Sequence, residues 1–376
     1  MSFLSVLKNS YKEQKNASAP VDYFVDEIIR DACNLKASDI HFEPSKSKYR
    51  IRIRIDGKLQ ERINGYMNQY QHMINRIKFL ANMNIAEKIT PQDGALRWNN
   101  PEVDMRISTM PTPFGEKCVV RILISQQLSA NFQSLGMSPL QQQHISTLLR
   151  KNSGLIVVTG PTGSGKSTTL YTSLHYLNHP QHNIITVEDP IEYMIDGINQ
   201  MQIHEQRGIT FSQALRSILR QDPDVIMIGE IRDHETADIA IRASLTGHQI
   251  LSTLHTNDSV SALYRLMDMN IEPYLLVQGI SAILSQRLVR KVCSHCFGKG
   301  CDLCYCTGYS GRTGIFEILT MDETITECVL ERKSASVLRE YLQEKKWSSM
   351  LKQAEQLKEK GVIDATEYQE LYFSII

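Results

Sequence analysis

Residues 155–168 of this 376-residue chain read Leu155-Ile156-Val157-Val158-Thr159-Gly160-Pro161-Thr162-Gly163-Ser164-Gly165-Lys166-Ser167-Thr168. The first five are apolar or β-branched, the pattern of a short buried strand. Gly160-x4-Gly165-Lys166-Ser167 then matches the phosphate-loop (P-loop) pattern in full. Its glycines let backbone N–H groups converge on phosphate oxygens, and a helix opening at Ser167 would add the positive end of its dipole. Gly160, Pro161, Thr162, Gly163, Ser164, Gly165, Lys166, Ser167 and Thr168 are therefore the candidate cradle for a nucleotide. Lys166 would reach the β- and γ-phosphates, and the Ser167 hydroxyl would ligate Mg²⁺. By chance the four fixed positions recur in about one chain in a hundred of this size, before strand and helix flanks are required.

Three more apolar runs follow, at 184–187, 225–228 and 249–254, separated by helical segments. That alternation predicts a wound α/β sheet. Ligands bind such sheets at the carboxyl ends of their strands. Two acidic clusters fall at those ends, Glu188-Asp189-Pro190-Ile191-Glu192 and Gly229-Glu230-Ile231-Arg232-Asp233. A single strand-end acid commonly caps the next helix. Two clusters beside a P-loop fit a different need, one carboxylate near Mg²⁺ and another on the attacking water. Spacing does not divide those roles between Glu188 and Glu230. His248 and His255 flank the 249–254 run, which makes both candidates for sensing a γ-phosphate.

Upstream the pattern is α+β. Val25, Ile28, Ile29 and Ala32 have helical spacing, and Ser38–Phe42 reads as a short strand. Ile51, Ile53 and Ile55 alternate with Arg50, Arg52 and Arg54, and Asp56-Gly57 supplies a hairpin turn. The three arginines read as a surface or subunit-interface row. A helix near 70–83 and strands at 103–109 and 117–124 complete the first domain. The expected division is a tail at 1–17, a domain at 18–124, a Gln/Ser/Asn-rich linker at 125–139 and a second domain at 140–376. Helical spacing recurs at 335–345 and 349–360, within a charged, helical C-terminal region at 321–376.

Forty-one Lys+Arg balance 41 Asp+Glu, which argues against a generic nucleic-acid binder. The apolar cluster Phe3, Leu4, Val6 and Leu7 is too short for a signal-peptide core or a membrane span. Any membrane role is expected to come through a partner. Eight cysteines without a secretory signal point to reduced thiols or metal. Cys293-x2-Cys296 and Cys301-x2-Cys304 have the spacing of a four-thiolate zinc site. Only Phe297-Gly298-Lys299-Gly300 separates the pairs, and Cys306 is an alternative to Cys304 as fourth ligand. Cys33, Cys118 and Cys328 read as isolated thiols.

These motifs, with several others in order, resemble the secretion ATPase superfamily that powers type II secretion, type IV pili and competence pili. The others are Ala37-Ser38-Asp39-Ile40-His41-Phe42-Glu43-Pro44, Arg54-Ile55-Asp56-Gly57, Pro91-Gln92-Asp93-Gly94, Met110-Pro111-Thr112 and Gly115-Glu116. After the P-loop, Thr186–Glu192 is similar to the family's Asp box. Gly229–Asp233 is similar to its atypical Walker B, and Thr246–Thr256 to its His box. The resemblance implies a PAS-like α+β domain followed by a RecA-like P-loop NTPase domain with a small tetracysteine element at 293–306. It implies a homohexamer that hydrolyses ATP with Mg²⁺ and acts on a polytopic membrane platform protein, which feeds pilin-like subunits into a fibre. The expected location is cytoplasmic, peripheral to the inner face of the membrane, with no direct nucleic-acid contact.

By the same resemblance, Glu188 is the general base, Glu230 the Mg²⁺-associated acid, and His248 and His255 sensors. Arg106 and Arg121 act as arginine fingers reaching the phosphates from the first domain. The tetracysteine element and Gly311–Leu319 are similar to the assembly branch, since retraction motors lack that element. Three departures are expected: the family's extra N-terminal domain would be missing, Lys88-Ile89-Thr90 replaces a basic pair, and the cysteine spacer is compressed. A short chain with a compressed spacer resembles most the competence-pilus ATPases of Gram-positive bacteria (ComGA type), implying support of DNA uptake. The alternatives are a type II secretion or pilus-extension ATPase, a nucleic-acid-translocating RecA-like hexamer, and a nucleotide-binding regulator without turnover.

Overall fold

The computed structural model of this chain describes residues 21–99, 102–123, 131–345 and 347–375. The expected tail at 1–17 and the first part of the expected linker, 125–130, lie outside the described residues. The chain divides into two compact units, 1–127 and 128–376.

In the first unit, helix α1 (Val21–Asn34) precedes β1 (Asp39–Pro44), β2 (Lys48–Ile55) and β3 (Lys58–Tyr66). Helix α2 (Tyr70–Leu80), β4 (Gln92–Asn99), β5 (Glu102–Thr112) and β6 (Gly115–Leu123) follow. The six strands form one antiparallel sheet in the order β3-β2-β1-β6-β5-β4. Ile40, Phe42, Ile51, Ile53, Met105, Ile107, Val120 and Ile122 are buried, as the two-residue period of a strand requires of one face. Asp56 and Gly57 take φ of 48° and 85°, the left-handed pair that a tight hairpin between β2 and β3 needs. β4 carries the Gln92-Asp93-Gly94 motif at the sheet edge and has no fully buried residue. The Gly115-Glu116 motif has a structural use. Lys78, with no exposed surface, donates from Nζ to Glu116 Oε1 at 2.5 Å and to the Glu87 carbonyl at 2.6 Å.

The second unit opens with α3 (Pro139–Leu149), β7 (Gly154–Thr159), α4 (Lys166–Leu177), β8 (Ile184–Glu188) and β9 (Asn199–Gln202). It continues through α5 (Phe211–Ile218), β10 (Val225–Ile228), α6 (His234–Leu245), β11 (Gln249–Leu254), α7 (Ser259–Asp268) and α8 (Pro273–Gly279). β12 (Ile280–Val292) and β13 (Tyr309–Leu319) then precede four helices, α9 (Glu323–Leu330), α10 (Ala335–Glu344), α11 (Met350–Glu359) and α12 (Ala365–Ile375). The strand order is β13-β12-β7-β11-β10-β8-β9, parallel except for the β12–β13 pair. All of β7, β10 and β11 is buried. Leu155 and Val157 join one apolar cluster and Ile156 and Val158 another, so helices cover both faces.

The expected linker differs in its described part. Phe132 and Met137 are buried within the second unit's core. Ser138 and Gln141 form a capping box at the start of α3, so 131–138 is packed structure.

The candidate nucleotide site and its partners

The P-loop is the turn from β7 into α4. Gly160 takes φ of 149°, and a Cβ there would lie 2.5 Å from the Gln286 carbonyl oxygen. Gly165, at φ 90°, is the N-cap of α4. Lys166 is 8% exposed. Its Nζ donates to the carbonyls of Gly160 at 2.8 Å and Pro161 at 3.2 Å, so the ammonium lies back across the loop. Burial lowers its pKa, Glu230 opposes and Arg287 adds to the fall, leaving it at about 8. Ser167 is exposed in the first turn of α4, and its hydroxyl oxygen is a hard donor of the kind Mg²⁺ takes.

The sheet order decides which acidic cluster meets this loop. β11 is the neighbour of β7, β10 is next, and β8 lies one strand further out. With strands about 4.8 Å apart, the end of β10 is about 10 Å from that of β7 and the end of β8 about 14 Å. Glu230, just past β10, lies within the field of Lys166. Its Oε2 is 3.5 Å from His255 Nε2, and its Oε1 accepts from Arg232 at 2.5 Å. Arg232 also reaches Asp189 at 3.3 Å, joining the two acidic clusters. His255 is half exposed, and burial followed by the charge of Lys166 lowers its pKa. Asp233 is a helix cap, accepting from Thr236 N–H at 2.8 Å. Lys166, Ser167, Glu230 and His255 thus converge on one edge of the sheet.

Residues 14–370 match the family model described as type II/IV secretion system protein. The chain belongs to that family. The type II secretion system protein HxcR of Pseudomonas aeruginosa is 47% identical over 332 residues, covering 86% of this chain and 71% of that protein. The type IV pilus assembly ATPase PilB of Thermus thermophilus is 41% identical over 351 residues, 86% of this chain and 40% of that one. The crystal structure of the pilus retraction motor PilT with bound ADP aligns at a TM-score of 0.66 and 28% identity, over 92% of this chain and 96% of that one. This chain is an ATP hydrolase of the secretion and pilus class, and its second unit is the RecA-like core.

Two candidate site residues of this secretion ATPase have other partners within the subunit. Glu188 is 3% exposed. Its Oε2 accepts from the Tyr171 hydroxyl, and its Oε1 accepts from Thr186 Oγ1 at 2.6 Å and Gln200 Nε2 at 3.1 Å. Three donors therefore hold this carboxylate between α4, β8 and β9. His248 is the second. It precedes β11, its carbonyl accepts the Gly154 N–H at 3.2 Å, and its Nδ1 lies 3.1 Å from the Ala243 carbonyl. The six-residue β11 separates it from His255 by about 20 Å, at the amino edge of the sheet. Being on the same motif did not put the two histidines at the same end of the strand.

Arg106 and Arg121 lie in the first unit and are directly opposite each other in the β5–β6 register. Arg121 Nε donates to Asp39 Oδ1 at 3.0 Å, and Arg54 reaches Asp39 at 3.4 Å. Arg50 and Arg52 each pair with Glu43 at 2.7 Å. Burial would raise the Glu43 pKa, but bonds from Arg52 and Arg50 hold it at about 2. The arginine row expected at a surface or interface is therefore anchored by the two acids of the Ser38–Glu43 motif.

In the cysteine element, the Sγ atoms of Cys293, Cys296, Cys301 and Cys304 all lie within 4.8 Å of one another. The separations are 3.9 Å for Cys293–Cys301, and 3.7 Å for both Cys296–Cys304 and Cys301–Cys304. Four thiolates about 2.3 Å from one tetrahedral ion would stand about 3.8 Å apart, so the set fits zinc. Backbone N–H groups of Gly300 and Gly308 reach Cys296 and Cys304 Sγ at 3.2 and 3.3 Å. Cys306 is exposed and outside the cluster; the structure selects Cys304.

Sequence reasoning missed Gln286 and Tyr171. Gln286, on β12 beside the P-loop, donates from Nε2 to the Ser164 carbonyl at 2.6 Å and accepts from Thr169 Oγ1 at 2.7 Å. It holds the loop's crest to the first turn of α4. Tyr171, on α4, donates to Glu188 and accepts the Glu192 N–H at 3.3 Å, tying the P-loop helix to the Asp box. Only the likeness of Thr186–Glu192 to a family motif hinted at that tie. Among the described residues, no helix is long and apolar enough to cross a membrane.

Proposed function

We propose that this chain is the motor ATPase that drives assembly of a pilus or pseudopilus fibre. It would work as a homohexamer on the cytoplasmic face of the membrane, acting through a polytopic platform protein that feeds pilin-like subunits into the fibre. The observation that carries the reading is the convergence of Lys166, Glu230 and His255 at one sheet edge. Names of relatives in secretion and pilus assembly support the mechanical output.

In this reading ATP lies on residues 160–168, and Mg²⁺ would be held by Ser167 and, through water, by Glu230, where it would neutralise charge on the phosphates. Lys166 swings from its loop carbonyls onto the β- and γ-phosphates. Glu230 orients the attacking water and takes its proton, while His255 reports on the γ-phosphate. Glu188 is a positioning residue, fixed by Tyr171. Arg106 and Arg121, of this subunit or its neighbour, complete the charge on the transferring phosphoryl group. Cys293, Cys296, Cys301 and Cys304 would hold zinc, which would stabilise the β12–β13 connection. The four-residue spacer Phe297–Gly300 favours a competence pilus, and hence DNA uptake, over a type II secretion system.

The test is phosphate release by the purified protein against Lys166→Ala, with capture of the tagged chain from native membranes. Turnover lost in the variant, with a polytopic membrane protein captured, supports a motor. Stimulation by single-stranded DNA without such a partner would replace it with a nucleic-acid translocase. Loss of transformation but not of protein secretion on gene deletion supports the competence reading, and the reverse refutes it.

A further inference from the structure

At the amino edge of the second unit's sheet, opposite the P-loop edge, lies a cavity of about 690 Å³. Its wall brings Arg150, Lys151, His179 and His182 together, from the end of α3 and the turn between α4 and β8. One carboxylate, Asp224, faces this group, and its Oδ2 already accepts the Asn183 N–H at 2.6 Å. Arg150 is held by donation from Nε to the Tyr176 hydroxyl at 3.0 Å, which leaves its forked terminal nitrogens for a ligand. His182 Nδ1 lies 2.9 Å from the Leu177 carbonyl, which leaves Nε2 for the cavity. Gln249 lines the same space. It is 3% exposed, and its Nε2 has no hydrogen-bond partner among the described residues. Buried amide donors are almost always satisfied.

We propose that this cavity is a second ligand site, for an anion bearing phosphate groups, remote from the P-loop. A guanidinium fork, an ammonium and two imidazoles around one opening are the groups that recognise phosphate oxygens. The volume lies within the range of small-molecule pockets and exceeds what a bare diphosphate fills, so it has room for an organic moiety. The position also suits control. Helix α4 begins at Lys166 and ends at the cavity wall with Tyr176 and Leu177, and β11 begins at Gln249 and ends beside His255. Each is one continuous element with an end at either site. A ligand that orders the cavity wall therefore acts on the two elements that hold the nucleotide site.

The test is calorimetric titration of the assembled protein with inorganic pyrophosphate. Wild type is expected to bind two equivalents per chain and Lys166→Ala one. The triple variant Lys166→Ala/Arg150→Glu/Lys151→Glu is expected to bind none, at an unchanged melting temperature. If charge reversal lowers that temperature, Arg150→Gln/Lys151→Gln in the same background is read instead, with about tenfold weaker binding expected. Repeating the Lys166→Ala titration with ADP separates the two sources of phosphate: about tenfold tighter binding than pyrophosphate assigns a nucleotide, and equal binding assigns phosphate alone. A single equivalent in wild type overturns the proposal, as does a second equivalent indifferent to the substitutions at 150 and 151.

Discussion

Exchanging each strand-end glutamate for glutamine separates chemistry from architecture. Glu188→Gln changes neither length nor shape. It replaces one acceptor oxygen by an NH₂ group in a pocket where three donors converge on a carboxylate. The Tyr171 and Thr186 hydroxyls can rotate to accept, but the Gln200 Nε2 group cannot. The amide oxygen can face Thr186 and Gln200 with the NH₂ toward Tyr171, so all three bonds survive, but each changes from charge-assisted to neutral. With charge-assisted bonds contributing about 1.5–3 kcal/mol each, the loss of folding stability should be about 2–4 kcal/mol. Turnover by the folded fraction should fall less than about tenfold, because the group does not touch the reacting atoms. Glu230→Gln should do the opposite. Its ion pair with Arg232 is half exposed and contributes no more than about 1 kcal/mol. Removing the base should cost about 10²–10⁴ in rate. The assay is single-turnover phosphate release at saturating ATP, with urea unfolding of the same preparations. If Glu188→Gln loses about a hundredfold in rate at an unchanged unfolding midpoint, while Glu230→Gln keeps its rate, the assignment of the two carboxylates is wrong.

The histidines should separate in the same way: His255→Ala is expected to lower turnover about tenfold or more, and His248→Ala to leave it within about twofold, measured by steady-state phosphate release. Elemental analysis should find one zinc per chain in wild type and in Cys306→Ser, and none in Cys304→Ser; equal zinc in both variants would refute the four-thiolate assignment. Lys166, depressed to about 8, has the sign of a cation disfavoured by folding, so the unfolded chain holds more protons between about pH 8 and 10.5. This group's contribution to stability therefore improves as pH rises through that window. Nucleotide binding needs the ammonium, so ATP affinity should weaken above about pH 8, with proton uptake on binding detectable by calorimetry in buffers of different ionisation enthalpy. Affinity unchanged to about pH 9.5 would show that the lysine is not perturbed.

Why some elements were legible and others not follows from what each strand buries. β7, β10 and β11 lie in the middle of a parallel sheet covered on both faces, so their sequences are uninterrupted apolar runs. β2 exposes one face, and its Ile/Arg alternation is equally readable. β12 was not seen. It is buried, yet Ser285, Gln286 and Arg287 occupy its middle at 0%, 1% and 5% exposure. Two of them are there for polar contacts: Gln286 for the P-loop, Arg287 for the Asn257 carbonyl at 2.9 Å. Strand rules read hydrophobicity, and they fail where a core strand doubles as the wall of a site. β4 fails for the opposite reason, since an edge strand with no fully buried residue has no apolar period to display.

The same distinction explains how the site residues are distributed. A motif fixes where a residue falls along a strand but not how many strands separate it from its neighbour. Glu188 and Glu230 look equivalent in sequence, each just at or past the end of a short apolar run. Their difference arises because β10 lies between β11 and β8, an order that no local pattern encodes. What remains local is the division of labour along β11: His248 before its first residue and His255 after its last are separated by the strand's own length. Six extended residues keep the two from sharing a phosphate bound to their own subunit. Within its own subunit His248 therefore sits at the amino edge of the sheet, beside Gln249, a strand's length from the P-loop.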